Sequence, residues 1–167
     1  MPTFERGDMF SVWGKTDLFL FTSNPIVNKQ GLAVMGRGIA KQLSDKVPTI
    51  RKAFADYLKR SSGEYAVADL GEYTIGTATQ RVGYFMVKAH WADPASLRII
   101  EESVDCLIAI LVELQWFSEV VDDAPFNFRV DLNFPGIGNG KLQRDDVLPL
   151  LLKLPDYVHI WEYDNGQ

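Results

Sequence analysis

Two spacings of apolar residues alternate along the chain, one typical of strands and one typical of helices. Residues 17–22 form a compact apolar run that ends in polar Ser23 and Asn24, which predicts a strand covered on both faces. Between Ile39 and Leu58 the apolar positions follow helical spacing, and Pro48 divides them. The pattern therefore predicts two helices, or one broken helix, after the first strand.

The middle of the chain changes period twice. Residues 64–88 are rich in Tyr, Val, Ile, Thr and Phe and are interrupted by three glycines, which predicts two or three short strands. Asp93 and Pro94 then suit the N-cap and the first position of a helix. That helix is expected to bury a stripe made of Leu97, Ile100, Val104, Leu107, Leu111 and Leu114.

The last third repeats the alternation. Residues 128–133 predict a strand, residues 147–154 a helix, and residues 158–163 a final strand. Pro149 is compatible with that helix only near its first turn. Alternation of this kind predicts an α/β fold, with a largely parallel or mixed sheet and helices on both faces.

Composition limits the chain to one domain and argues against some partners. With 167 residues, 47% of them hydrophobic, the chain can bury one substantial core, so we expect a single domain over residues 1–167 and a monomer.

The net charge of -5 argues against general binding to a nucleic acid backbone. Cys106 is the single cysteine and lies in an apolar segment, which favours a buried thiol in a reducing compartment. Without a leader pattern or a membrane-length apolar run, we expect a soluble cytoplasmic protein with no membrane partner.

Two glycine-rich loops are the strongest chemical signal. Gly36-Arg37-Gly38 and the loop of residues 136–140 each precede a predicted helix, where free backbone amides could meet a phosphate. Ordinary turns also use glycines at such places, so each loop alone is weak evidence. The pair makes a phosphate site about as probable as two ordinary turns. Lys41 and Lys141 stand where a dinucleotide fingerprint needs its third glycine, and neither loop has a P-loop ending.

Metal and cofactor chemistry receive no support from residue spacing. The two histidines, His90 and His159, are far apart in the chain, and Cys106 has no second cysteine beside it. A serine-nucleophile elbow is also missing. We therefore expect neither a metal nor a cofactor.

Three motifs resemble the macrodomain family in order and spacing, over nearly the whole chain. They are Gly7-Asp8-Met9-Phe10, Val34-Met35-Gly36-Arg37-Gly38-Ile39-Ala40 and Pro135-Gly136-Ile137-Gly138-Asn139-Gly140. Lys15-Thr16-Asp17 and Val87-Lys88-Ala89-His90-Trp91 are most similar to the branch of terminal ADP-ribose glycohydrolases and DarG-type DNA ADP-ribosyl glycohydrolases. The resemblance implies a three-layer α/β/α domain with a mixed sheet, and ADP-ribose or an ADP-ribosylated macromolecule as the partner.

The resemblance also implies a role for each motif. Asp8 would accept a hydrogen bond from the adenine amino group, with Met9 and Phe10 beside the base, and Tyr163 could stack near it. The diphosphate and the distal ribose would meet the loop residues Met35, Gly36, Arg37, Gly38 and Ile39, and Pro135, Gly136, Ile137, Gly138, Asn139 and Gly140. Asn28 would contact the distal ribose, with Asn24 as a rival.

Lys88 decides whether the resemblance extends to catalysis. A lysine at the end of an apolar strand is usually a solvated terminus, whereas the family implies a nucleophile or a positioning cation at the anomeric carbon. No acidic residue follows the second glycine loop before Asp145, unlike in the protein-directed glycohydrolases. The resemblance thus favours a glycohydrolase acting on modified DNA or protein, and leaves a non-catalytic binder of ADP-ribose or a related nucleotide, or an ADP-ribose 1''-phosphate phosphatase, as alternatives.

Overall fold

The computed structural model describes residues 1–61 and 66–163. Its strands are β1 (Thr3–Arg6), β2 (Leu18–Ser23), β3 (Val67–Ile75), β4 (Ala78–Met86), β5 (Val130–Asn133) and β6 (Val158–Glu162). Its α-helices are α1 (Gly38–Lys46), α2 (Ile50–Arg60), α3 (Leu97–Trp116) and α4 (Arg144–Leu151). Short 3-10 turns cover Met9–Val12 and Gly138–Gly140, and a π-helical turn, Phe117–Val121, follows α3.

The six strands form one mixed sheet in the order β1-β6-β5-β2-β4-β3. Neighbouring strands are parallel except for β3 and β4, which form an antiparallel hairpin with a register shift between Asp69 and Glu72. The predicted mixed sheet of an α/β fold is therefore confirmed. The parallel strands bring their carboxyl ends to a single edge, which is the usual place for a ligand in such sheets.

Alternating residues of β2 separate two cores. Phe19 and Phe21 pack with α1 and α2 on one face of the sheet, whereas Leu18 and Leu20 pack with α3 and α4 on the other. All four side chains are buried, Leu18 the least so at 7% exposure. This burial on both faces explains why the strand is a continuous apolar run and confirms the three-layer prediction.

Several predicted boundaries were wrong. The third helix begins after Ser96, not at Asp93, because the Ser96 hydroxyl accepts from the Ile99 amide while the Ala95 amide donates to Gly140. Of its predicted stripe, Leu97 and Leu114 are each 39% exposed, whereas the four residues between them are buried.

The remaining differences lie at the chain ends and in the middle. Strand β1 was not predicted, since its four residues alternate without a strong apolar run. Pro149 lies past the first turn of α4, in a helix of only eight residues. The predicted strand region begins at residue 64, outside the described residues. Its described part holds two strands, within the two or three predicted, but each has nine residues and is not short.

None of the helices in the described ranges has the length and hydropathy that a membrane span requires.

Candidate functional site

A cleft of about 590 Å³ opens at the carboxyl ends of β2, β4, β5 and β6. Its walls are the two glycine loops, and its floor includes Ser23, Val87, Asn133 and Trp161. The volume falls within the range of ordinary small-molecule sites. The chain thus brings both sequence-predicted loops and Lys88 to one cavity.

The first glycine loop presents unpaired backbone donors to this cleft. The first bond of the helix runs from the Lys41 amide to the Arg37 carbonyl, and the N–H groups of residues 36–40 find no acceptor in the described part of the chain. Met35 and Ile39 are buried on either side and anchor the loop. A β-carbon on Gly36 would have no heavy atom within 4 Å, so the space beside this backbone is open. Such a helix start is suited to an anion.

The second glycine loop has a different construction. It forms a 3-10 turn closed by bonds from the Gly140 amide to Ile137 and from the Leu142 amide to Gly136. Helix α4 begins only at Arg144, so the loop precedes a helix as predicted, but its amides do not lie at the helix N-terminus. The amides of residues 136–139 have no acceptor in the described part of the chain. They belong to a turn in which Gly136 and Gly138 have left-handed backbone conformations. Concave runs of amides like this also bind anions.

The two loops meet across the cleft. A β-carbon on Gly38 would lie 3.4 Å from the side-chain nitrogen of Asn139, and Gly38 itself has a φ of +59°. Both residues are exposed to the cavity. A ligand lying between the loops would therefore receive backbone amides from both sides.

Lys88 lies on a short loop whose ends are fastened. The Val87 amide donates to Ser23 and the Ser96 amide donates to Val87, which closes the loop at its base. The Ala95 amide donates to Gly140 at 2.8 Å and ties this loop to the second glycine loop. The position of the Lys88 amine relative to the cleft is thus set by backbone bonds on both sides.

The Lys88 amine has no acceptor and no ion-pair partner among the described residues. Its pKa is lowered from that of an ordinary lysine, first by burial and then by the positive charges of Arg37 and Lys141, with Asp93 opposing them. Arg37 and Lys141 are also without an ion-pair partner in the described ranges. The cleft is therefore a local concentration of positive charge on an acidic chain.

Three residues assigned to adenine lie outside the cleft lining. Asp8 is exposed, and one of its oxygens accepts from the Phe10 amide at 2.9 Å. Met9 is 1% exposed within the core, and Phe10 packs against Phe19. Asp8 still raises the pKa of Tyr163, after the larger effect of burial, so its carboxylate lies within electrostatic reach of the cleft.

The two candidate asparagines organise the loop before the first glycines. Asn24 lines the cleft, but its side chain donates to Val34 and accepts from the Ile26 amide. The Asn28 oxygen accepts from two backbone amides, and its side chain faces a separate hollow of about 290 Å³. Pro135 is buried and does not line the cleft. The geometry brings Asn24, not Asn28, to the main cavity.

The far end of the cleft combines Tyr163, which was a sequence candidate, with Gln42 and Glu162, which sequence reasoning missed. The Tyr163 hydroxyl donates to Gln42 at 2.9 Å, which joins the end of β6 to α1. Glu162 accepts three hydrogen bonds from Arg144 and is the one carboxylate among the described lining residues. A polar residue ending a buried strand was the available signal for Glu162, but its pairing depends on α4 and could not be read from the sequence.

Trp161 and Trp91 complete the walls. The Trp161 indole donates to Asp131 at 2.6 Å, and this fully buried carboxylate also accepts two bonds from Arg129. Burial raises the pKa of Asp131, but the bonds from Arg129 and Trp161 outweigh it, so the net pKa is low. Trp91, 51% exposed, lies at the mouth beside His90, with ring centroids 5.0 Å apart.

Residues able to hold a metal are not grouped in the described ranges: His, Cys, Asp and Glu form no cluster of three there.

The chain resembles one group of known proteins in both sequence and structure. No family model matches the chain. The DNA ADP-ribosyl glycohydrolase of Mycobacterium tuberculosis is 29% identical over 152 residues, which cover 86% of this chain and 39% of that protein. The chain therefore spans well under half the length of this relative.

Solved structures agree with that relationship. The macrodomain of Mycobacterium tuberculosis DarG matches with a TM-score of 0.67 at 26% identity, over 99% of both chains. Thermosipho africanus DarTG in complex with ADP-ribose matches with a TM-score of 0.68 at 19% identity, over 99% of this chain and 42% of that one. The chain therefore has a macrodomain-like fold and is related to the DarG DNA ADP-ribosyl glycohydrolases.

Proposed function

We propose that the cleft binds ADP-ribose and that the chain is an ADP-ribosyl glycohydrolase, releasing ADP-ribose from modified DNA or protein through Lys88. The observation that carries the proposal is the pair of glycine loops facing each other with unpaired amides, next to an unpaired lysine amine. The related DarG proteins are named as DNA ADP-ribosyl glycohydrolases, and the Thermosipho relative was solved with ADP-ribose.

The diphosphate is the part of ADP-ribose that the loops fit best. The amides of residues 36–40 and 136–139 would donate from opposite sides, and Arg37 and Lys141 would neutralise the two negative charges. Gly36 would give the phosphate room against the backbone. Anion binding also explains why an acidic chain leaves three cations unpaired at one place.

The adenine and distal ribose would then lie at opposite ends. Adenine would lie towards Tyr163, where Asp8 is within electrostatic reach and keeps one oxygen free of protein donors in the described ranges. The distal ribose would lie towards Lys88 and Asn139, on the side of Trp91. Met9 would contribute to this site only indirectly, because its side chain belongs to the core.

Lys88 would supply the chemistry. A neutral amine is required for attack on the anomeric carbon, and burial together with Arg37 and Lys141 favours that neutral form. The new carbon–nitrogen bond would replace the bond to the carrier, and the departing group would take up the proton lost by the amine. Water would then displace the lysine, leaving free ADP-ribose and the regenerated amine.

Lys88→Ala is the direct test. We expect release of ADP-ribose from ADP-ribosylated single-stranded DNA or protein to fall by about a thousandfold or more, while calorimetry still detects ADP-ribose binding. Lys52→Ala is the matched control, since it removes an exposed lysine on α2 that does not line the cleft, and it should retain full turnover. Full activity of Lys88→Ala would contradict the mechanism. If the parent chain does not bind ADP-ribose, the proposed site itself is wrong.

A non-catalytic binder is the second candidate, and one observation favours it. The acids that follow the second loop, Asp145 and Asp146, lie exposed in α4, and Glu162 in the cleft is occupied by Arg144. No free carboxylate among the described lining residues could activate water. Tight calorimetric binding with no release from DNA, protein or 1''-phosphate adducts would favour this candidate over the hydrolase.

A further inference from the structure

The segment between Arg98 and Arg129 has an unusual charge pattern. Residues 99–128 contain no Lys, Arg or His, and they contain seven acids, Glu101, Glu102, Asp105, Glu113, Glu119, Asp122 and Asp123. Since the whole chain has a net charge of -5, this segment is more acidic than the rest of the molecule together. The ADP-ribose cleft does not involve any of these residues.

The same segment carries an exposed apolar surface, which we name the α3-end face. It consists of Val112, Trp116, Phe117, Val120 and Val121. Each of these side chains is between 47% and 62% exposed. They form two adjacent rows at a spacing of four, Val112-Trp116-Val120 and Phe117-Val121, so they share one side of the helix end. The rings of Trp116 and Phe117 touch edge to face, with centroids 5.2 Å apart.

The α3-end face is a built feature rather than a frayed helix end. The π-helical turn is closed by a bond from the Asp122 amide to Phe117, and the Ala124 amide donates to Ser118 at 2.8 Å. The Ser118 hydroxyl also donates to Ala124, and Asp123 takes a left-handed φ of +49° to complete the turn. Turns of this type are rare and recur at functional positions. The backbone therefore holds large apolar side chains in solvent, which marks a surface that is covered in use.

Charge decides which partner fits. The acids nearer the start of α3 pair with Lys153 or Arg98, whereas Glu113, Asp122 and Asp123 around the face have no ion-pair partner in the described ranges. A second copy of this chain would place acid against acid, and nucleic acid or an anionic membrane would be repelled in the same way. A basic amphipathic helix could pack its apolar side against the apolar rows and place its positive charges beside Glu113, Asp122 and Asp123.

We propose that the α3-end face is a docking surface for a basic amphipathic helix of a partner protein. The face begins at Val112, sixteen residues after Ser96, which caps the helix beside the Lys88 loop. At a rise of about 1.5 Å per residue the separation is at least roughly 24 Å, so docking leaves the cleft open. The surface is therefore independent of the ADP-ribose site.

The test uses the whole chain and a synthetic amphipathic peptide of Leu and Lys, about 14 residues long, in calorimetry at physiological salt. Trp116→Ser with Val120→Ser should weaken peptide binding by at least about tenfold, because aromatic anchors dominate such interfaces. Glu119→Gln with Asp122→Asn should weaken it and reduce its salt dependence. Asp45→Asn with Asp56→Asn, which removes two exposed charges on α1 and α2, is the matched control and should bind like the parent.

Three results would overturn the proposal. One is equal binding of a peptide with the same composition and a scrambled apolar face, which would indicate general counter-ion attraction. Another is an equal loss in the Asp45 and Asp56 control. The third is a concentration-dependent dimer, seen by sedimentation and abolished by Trp116→Ser with Val120→Ser, which would make a second copy the occupant. Retention of ADP-ribose binding in all variants separates these results from failure of the cleft.

Discussion

The two glycine loops look alike in sequence and differ in what the glycines do. At Gly36 a β-carbon would meet no atom within 4 Å, so the backbone borders open space. At Gly136 a β-carbon would lie 2.7 Å from Ile100 and 2.9 Å from Leu142, and at Gly140 it would lie 3.0 Å from Ala95. The first loop keeps room for a ligand, whereas the second keeps room for the core.

This difference separates binding from folding within one site. A side chain added at Gly36 would compete with a ligand, while one added at Gly136 would compete with Ile100 of α3 and with Leu142. A glycine-rich loop is therefore not evidence of close ligand approach until its neighbours are known. Substitutions in the two loops should have effects of different kinds.

Gly136→Ala is expected to have the largest effect. The new methyl would overlap Ile100 and Leu142 at a φ of +81°, which should lower the free energy of unfolding by about 2–4 kcal/mol. Chemical denaturation measures this. Gly76→Ala is the matched control, because Gly76 has a φ of +63° and no neighbour within 4 Å, and it should lose only about 1 kcal/mol. Equal losses of unfolding free energy in the two variants would show that contact with Ile100 and Leu142 is not the reason why residue 136 must be a glycine.

Gly36→Val should act on binding instead. Its branched side chain would occupy the open space beside the free amides, so the Kd for ADP-ribose should rise by about ten- to a hundredfold. The free energy of unfolding should stay within about 0.5 kcal/mol of the parent. Calorimetry and denaturation together check this, and unchanged affinity would remove the first loop from the diphosphate site.

Gly138→Ala tests backbone conformation alone within the second loop. Gly138 has a φ of +64° and no neighbour within 4 Å, so the cost should be about 1 kcal/mol of unfolding free energy. The same denaturation measurement applies. A loss as large as that of Gly136→Ala would mean that strain, and not contact with Ile100, governs the loop.

Arg37→Gln should have the smallest effect, on the pH profile of turnover. Arg37 lowers the pKa of Lys88, so removing its charge raises that pKa and reduces the neutral amine at a given pH. The rising limb of kcat against pH should move to higher pH at saturating substrate. Lys141→Gln should move it in the same direction and by less, because its contribution is smaller. A shift to lower pH would contradict the electrostatic argument.

The sequence predicted the fold where burial alone sets the pattern. Phe19 and Leu20 lie in a strand buried on both faces, and a continuous apolar run is the direct result. Pro48 divided α1 from α2 as predicted. The start of α3 was wrong because Asp93 and Pro94 satisfy local rules, whereas the backbone there is held by Gly140 and Val87.

The candidate site was predictable in part. The glycine loops and Lys88 were identified from the chain and share one cavity, and their ligand roles stay predictions. The placement of Met9 in the core and of Asn28 in a side hollow depends on packing that no local pattern records. Glu162 lines the cleft at the end of β6 and pairs with Arg144, a contact between distant segments.

Sequence alone determined the α/β alternation, the candidate glycine loops and the relation to macrodomains, because these depend on local residue patterns. Only the tertiary structure decided that Gly36 borders open space while Gly136 touches the core, since that depends on Ile100 and Leu142 arriving from other elements. It also decided that the Lys88 amine lies unpaired, where the positive charges of Arg37 and Lys141 lower its pKa. Contacts between distant segments, which have no signature in a single stretch of chain, distinguish two loops that read alike.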